Sequence, residues 1–171
     1  MKSIVKAISS ACCVAAFSLG VAGFATSASA QGTAFTPGPY IGGGLGWNWT
    51  DDDDDWSWKG LAGWRVNEYL ATQIFYADLG NHGISGVAGR RGIDTYGAEV
   101  LASFPLARDL SVYGKGGVHR YHVTSRSTNW LAGAGVEHAL DGSLSLRGEW
   151  THYNMRPVDS DDFTVQLVYG F

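Results

Sequence analysis

Hydrophobic and polar residues alternate along this chain with a period of two, and clusters of Gly, Asn and Asp interrupt the alternation. The final stretch is the clearest. Phe163, Val165, Leu167, Tyr169 and Phe171 fall on one face, with Thr164, Gln166, Val168 and Gly170 on the other. Over residues 144–153, Leu144, Leu146, Gly148 and Trp150 oppose Ser145, Arg147, Glu149, Thr151 and Tyr153. The same register runs through residues 58–66, 93–104, 110–121 and 130–140, and residues 40–49 and 69–79 complete a set of eight predicted strands. The spacers alternate in length. Residues 66–69, 105–109 and 140–143 are tight, whereas 50–57, 80–92, 122–129 and 154–162 are longer and polar. Short turns at one end and long loops at the other predict an all-β, eight-stranded antiparallel up-and-down barrel that crosses a membrane. Strands of about 9–11 residues suit a tilted crossing.

The two faces assign inside and outside. One face of the strands is rich in Gly, Ser and Thr with isolated charges: Arg65, Glu99, Lys115, Glu137, Arg147 and Glu149, three of each sign. Small residues with balanced charges can fill a narrow eight-stranded interior. The other face is apolar, with Trp47, Trp49, Trp64, Tyr96, Phe104, Trp130, Trp150, Tyr169 and Phe171 near strand ends. Such rings tolerate both lipid and water and mark membrane interfaces. A soluble sandwich would put the apolar face in the core instead.

The first thirty residues stand apart. Lys2 and Lys6 precede an apolar stretch, and Ala25-Thr26-Ser27-Ala28-Ser29-Ala30 ends in an Ala-x-Ala pattern. This predicts a secretory signal peptide over residues 1–30, cleaved after Ala30, and a single barrel domain over residues 31–171. Cys12 and Cys13 leave with the leader, so neither a disulfide framework nor a cysteine zinc site is expected in the mature protein.

Composition narrows the classes further. With 171 residues, 24 glycines, 13% aromatic and 16% charged residues, the chain is neither disordered nor, lacking a three-residue glycine period, collagen-like. Its net charge of −4 argues against a nucleic-acid partner.

Four stretches carry a family resemblance: Tyr40-Ile41-Gly42-Gly43-Gly44-Leu45-Gly46-Trp47; Gly63-Trp64-Arg65-Val66-Asn67-Glu68-Tyr69-Leu70-Ala71 with Tyr76-Ala77-Asp78-Leu79-Gly80; Gly135-Val136-Glu137-His138; and Arg147-Gly148-Glu149-Trp150 with Leu167-Val168-Tyr169-Gly170-Phe171. In order and spacing they resemble the transmembrane domain of outer-membrane protein A and its small eight-stranded relatives. The resemblance implies an interior salt-bridge network, with Glu137, Arg147, Glu149 and Lys115 at matching positions. It implies that Phe171, with Phe163, Val165, Leu167 and Tyr169 before it, forms the signal read by the barrel-assembly machinery. It places the protein in a bacterial outer membrane with periplasmic termini and with lipid and lipopolysaccharide as partners. The chain stops at Phe171, without the family's peptidoglycan-binding domain, so no cell-wall tether is expected.

Three features invite chemistry. Asp51, Asp52, Asp53, Asp54 and Asp55 could hold Ca²⁺ or Mg²⁺, which prefer oxygen ligands, and so bridge lipid phosphates. The plainer reading is a solvated acidic loop, and Trp56 at the sixth position excludes an EF-hand. Arg90, Arg91, Arg120, His122 and Arg126 could contact lipid phosphates. His152-Tyr153-Asn154 resembles the late-strand histidine of lipid A deacylases, but Asn154 stands where those enzymes need a serine. The expectation is a non-enzymatic structural barrel without cofactor, supporting envelope integrity through lipid and loop contacts. A narrow pore is the alternative, and a lipid A-modifying enzyme a weaker one. The sequence leaves oligomeric state and ligand open.

Overall fold

The computed structural model describes residues 35–50, 54–83, 90–122, 126–155 and 159–171. Eight strands follow in order: β1 (Gly38–Thr50), β2 (Asp54–Arg65), β3 (Leu70–Gly83), β4 (Arg90–Pro105), β5 (Leu110–His122), β6 (Arg126–Ala139), β7 (Leu144–Tyr153) and β8 (Ser160–Gly170). Each pairs antiparallel with the next, and β8 pairs with β1, so the sheet closes on itself and leaves no edge strand.

Alternation becomes an inverted molecule. Leu45 and Ile74 on the outer face are 65% and 63% exposed, while Arg147 and Glu149 inside are fully buried. The interior is narrow enough to dictate side-chain size. A Cβ at inward-facing Gly44 would run into the Val165 carbonyl oxygen of the neighbouring strand.

The termini of the barrel and three tight turns lie at one end, here the turn end. The turns share a backbone pattern. Val66 N donates to Leu70 O (2.9 Å), Leu106 N to Leu110 O (2.8 Å) and Leu140 N to Leu144 O (2.8 Å). In two of them the next side chain completes the turn. Asn67 Oδ1 accepts from the backbone N–H groups of Tyr69 (2.9 Å) and Leu70 (2.8 Å). Asp141 Oδ1 accepts from those of Ser143 and Leu144, both at 2.7 Å. The third turn has Ala107 at that position.

The opposite, loop end differs from the sequence expectation. Three of the four long loops are more than half strand, and the fourth loses residues 160–162 to a strand. β2 begins at Asp54, β3 runs to Gly83, β4 begins at Arg90, β6 at Arg126 and β8 at Ser160, so residues 51–53, 84–89, 123–125 and 154–159 are all that connects the strands there. Polar residues erase the alternation that a sequence reading needs, yet the ladder continues wherever a partner strand lies alongside: Trp49 pairs with Asp54 and His122 with Arg126. A register shift between Asp78 and Asn81 contains Gly80, whose φ of +83° lies in the region that favours glycine. A Cβ there would also meet Asp55 and Trp56 at 2.7 Å.

Six of the seven tryptophans (47, 49, 56, 58, 130 and 150) lie on the loop-end half of their strands, and Trp64 alone near the turn end. Cross-strand pairing lines up Trp150, Phe163, Trp47 and Trp56 in one row, in which the rings of Trp47 and Trp56 meet edge to face at 5.2 Å.

Candidate functional site

The interior is built in three tiers from side chains two residues apart along each strand. The middle tier joins Lys59 (β2), Glu99 (β4), Lys115 (β5) and Glu149 (β7). Lys59 Nζ lies 2.8 Å from Glu149 Oε1 and 3.1 Å from Glu99 Oε1. Lys115 Nζ lies 2.7 Å from Glu149 Oε1 and 2.9 Å from Glu99 Oε2. All four side chains are fully buried. Tyr113 Oη donates to Glu149 Oε2 at 2.8 Å, and Gln166 Nε2 to Glu149 Oε1 at 3.2 Å. Two cations facing two carboxylates, each hydrogen-bonded, is the arrangement that makes buried charge tolerable.

The turn-side tier centres on Glu137 (β6). Its Oε1 accepts from Arg65 (2.8 Å) and Ser145 (2.6 Å), and its Oε2 from Arg147 (3.1 Å). Arg147 is further packed against the rings of Tyr113 and Tyr40, at 5.2 and 5.7 Å. Gln73 (β3) ties the two tiers together. Its Oε1 accepts from Arg147 (3.1 Å) and Tyr40 (2.8 Å), and its Nε2 donates to Glu99 (2.5 Å).

The loop-side tier is mixed. Ser57 donates to Asp162 (2.5 Å), and Asn48 Nδ2 to Ser160 Oγ (2.7 Å). His119 Nε2 faces the Asn154 carbonyl at 3.1 Å, so that nitrogen carries the proton and Nδ1 accepts from Thr95 at 2.8 Å. Around these polar groups Phe75, Leu79, Ile93, Tyr121, Leu131, Tyr153 and Met155 form a buried apolar cluster. The Phe75 ring also covers Lys59 Nζ at 4.5 Å. The apolar cluster inside the barrel corrects the simple rule that one face is polar and the other apolar.

The six charges expected inside thus stand in one network: Arg65, Glu99, Lys115, Glu137, Arg147 and Glu149. Sequence reasoning left out Lys59, although it shares Arg65's face three repeats of the pleat away. It left out Gln73, whose neutral amide gives no charge signal, and Asp162, which fell in an assumed loop.

Outside the network, Phe163, Val165, Leu167 and Tyr169 project outward from β8, and Phe171 follows at 70% exposure. Asp54 and Asp55 lie in β2 rather than in a loop, because they pair with Trp49 and Asn48. Asp51, Asp52 and Asp53 lie outside the described residues, and among the described residues no three metal-ligating side chains converge. Arg90, Arg91, Arg120, His122 and Arg126 sit near the loop-end termini of β4, β5 and β6. His152 Nδ1 lies 3.0 Å from Asp161, on the outer face between the rings of Trp130 and Trp150. Ser160, next to Asp161, points inward to Asn48.

At the turn end, a cavity of about 270 Å³ opens below Glu137, lined among others by Phe35, Tyr40, Arg65, Asp141, Ser143 and Ser145.

A family model described as an outer membrane protein beta-barrel domain matches residues 16–171. No curated protein matches the sequence. Among solved structures, Neisserial surface protein A (NspA) aligns at a TM-score of 0.62 and 16% identity over 78% of this chain and 97% of its own. Ail, the attachment invasion locus protein of Yersinia pestis, solved in complex with the heparin analogue sucrose octasulfate, aligns at 0.59 and 12% over 80% and 100%. The N-terminal β-barrel domain of Pseudomonas aeruginosa OprF aligns at 0.54 and 10% over 78% and 100%. At such identities the likeness is one of fold.

Proposed function

The chain belongs to the outer membrane protein beta-barrel domain family, and from that premise we propose that it is a sealed structural barrel of a bacterial outer membrane. Residues 1–30 serve as the cleaved leader, and residues 31–171 are inserted with the turn end in the periplasm and the loop end outside. The β8 positions Phe163, Val165, Leu167, Tyr169 and Phe171 address it to the barrel-assembly machinery.

The filled interior carries this reading. A fully buried tier of Lys59, Glu99, Lys115 and Glu149 crosses the lumen, and the Phe75, Leu131 and Tyr153 cluster lies over it. Opening a water path would separate buried ion pairs, which costs about 3–5 kcal/mol for each partner lost. The barrel therefore supports the envelope by its lipid contacts and by what its loop end touches. There the outward row of Trp150, Phe163, Trp47 and Trp56 seats the wall at the lipid boundary. Arg120 and the neighbouring Arg90, Arg91, His122 and Arg126 supply cations for lipopolysaccharide phosphates or other anionic surface sugars. Ail, a similar barrel, was solved with a sulfated sugar. This role requires neither a cofactor nor catalysis: His152 has an acidic partner in Asp161, but Ser160 turns inward to Asn48, away from His152 on the outer face, so the pair has no hydroxyl from it to activate.

The test is a planar-bilayer recording of protein isolated from outer membranes and shown to be folded by heat-modifiable gel migration. A silent bilayer is the expected outcome. Discrete current steps would replace this reading with a narrow pore.

A further inference from the structure

Glycines inside the barrel are forced by their neighbours. A Cβ at Gly97 or Gly117 would run into the Val118 or Ala98 carbonyl oxygen of the next strand. Glycines also occur on the outer face, and three of those positions are covered from within the chain. The Lys59 carbonyl oxygen stands 3.3 Å from a Cβ built on Gly43, the Trp58 ring 4.0 Å from one on Gly60, and the Phe163 ring 4.0 Å from one on Gly148. β5 is different. A Cβ on Gly116 would meet only the Leu131 carbonyl oxygen, at 3.9 Å, and one on Gly114 nothing within 4 Å. Their outward neighbours include Ala132 and Ala134 on β6 and Ala102 on β4, so the wall is recessed there. Glycine weakens a strand and marks a place where another molecule comes close.

Arg120 continues the same face of β5 and is exposed at the loop end. Tyr96 and Thr128 lie directly opposite it on β4 and β6, so a guanidinium, a phenol and a hydroxyl stand in one outward row. Among the described residues no carboxylate pairs with Arg120, and Asp94, one outward step from Tyr96, takes the Tyr76 hydroxyl at 2.9 Å. At about 3.4 Å per residue and a tilt near 40°, Arg120 stands about 15 Å above Gly114 along the membrane normal. That is the depth of one leaflet, half of a hydrocarbon core about 30 Å thick.

We propose that this face of β4, β5 and β6 seats one lipid A molecule of the outer leaflet. A phosphate rests on Arg120, Tyr96 and Thr128, and an acyl chain fills the recess over Gly116 and Gly114. Charge-assisted bonds hold the phosphate. The barrel closes its other outward recesses with its own rings and backbone, and this one is closed by the lipid. The seat rests on the reading that the loop end faces outward, and it gives the lipid partner a place on the wall.

The test is native mass spectrometry of protein isolated from outer membranes in mild detergent, with purified lipid A and phosphatidylethanolamine added back in separate arms. The parent is expected to carry one lipid A. Arg120→Gln and Gly116→Leu, whose new side chain occupies the recess, should each lower that occupancy about ten-fold. Ala62→Leu, which adds the same bulk on the outer face of β2, should leave it unchanged. A parent bare of lipid A overturns the seat, as does equal retention of phosphatidylethanolamine. So does loss of occupancy in only one of Arg120→Gln and Gly116→Leu, or an equal loss in Ala62→Leu. Heat-modifiable migration and bilayer recording on the same samples keep the two readings apart: a folded, silent barrel without lipid A ends this inference and leaves the sealed barrel standing.

Discussion

At the scale of single residues, the interior ranks its own members. Glu149 receives Lys59, Lys115, Tyr113 and Gln166, so Glu149→Ala leaves two buried ammonium groups with half their compensation. We expect it to destabilise the barrel by about 3–5 kcal/mol in urea unfolding followed by tryptophan fluorescence. Arg65→Ala removes a partner that is partly solvated at the mouth and leaves Glu137 still bonded to Arg147. A loss of about 1 kcal/mol is expected, and a loss equal to that of Glu149→Ala would mean the tiers do not act separately. Asp141 gives a pH handle outside the membrane. The N–H groups of Ser143 and Leu144 hold its carboxyl below the usual 3.8. A lowered folded-state value adds stability above the unfolded value and loses it as pH falls through the folded one. The stability gap between the parent and Asp141→Ala should therefore be constant near neutrality and shrink below pH 3.8. A gap that widens with acid would contradict the turn geometry.

At the scale of elements, the three turns form a natural comparison series. Two have Asn67 or Asp141 capping two backbone N–H groups, and the third has Ala107 in the same backbone pattern. Ala107→Asp should supply the missing acceptor and raise the stability by roughly 0.5–1 kcal/mol, read as a higher urea midpoint at unchanged slope. An unchanged midpoint would show that the 106–110 turn is not equivalent. The strands also show how far sequence carries. Alternation located all eight and put six charges on the inner face, because lipid outside and a narrow lumen inside impose opposite chemistry on successive residues. It failed at the loop-end strand termini, where Asp54 and Arg126 continue a ladder with no apolar partner face to announce it. It put Leu131 on the inner face with Glu137 but gave no warning of Leu79, Ile93 and Tyr121. These are apolar residues facing inward, indistinguishable by type from those facing lipid. Gln73 was invisible for a further reason: its role lies in joining Arg147 on β7 to Glu99 on β4, a relation between strands far apart in sequence.

At the scale of the whole molecule, the charged tiers and the apolar cluster make the lumen a packed core, and the lipid takes the place that water has around a soluble protein. The silent bilayer recording is the prediction proper to this scale, since no single side chain seals the barrel. The same alternation has a consequence for the journey before folding. Beyond the leader its apolar residues come in short runs broken by polar and small ones, and the mean hydropathy of the whole chain is −0.06. A sequence of this kind never offers a secretion channel the run of about twenty apolar residues that halts passage and releases a segment sideways into the inner bilayer. The wall becomes greasy only when the strands register and all their outward side chains line up at once. The protein can therefore cross one membrane as a mildly polar thread and lodge in the next as a hydrophobic cylinder.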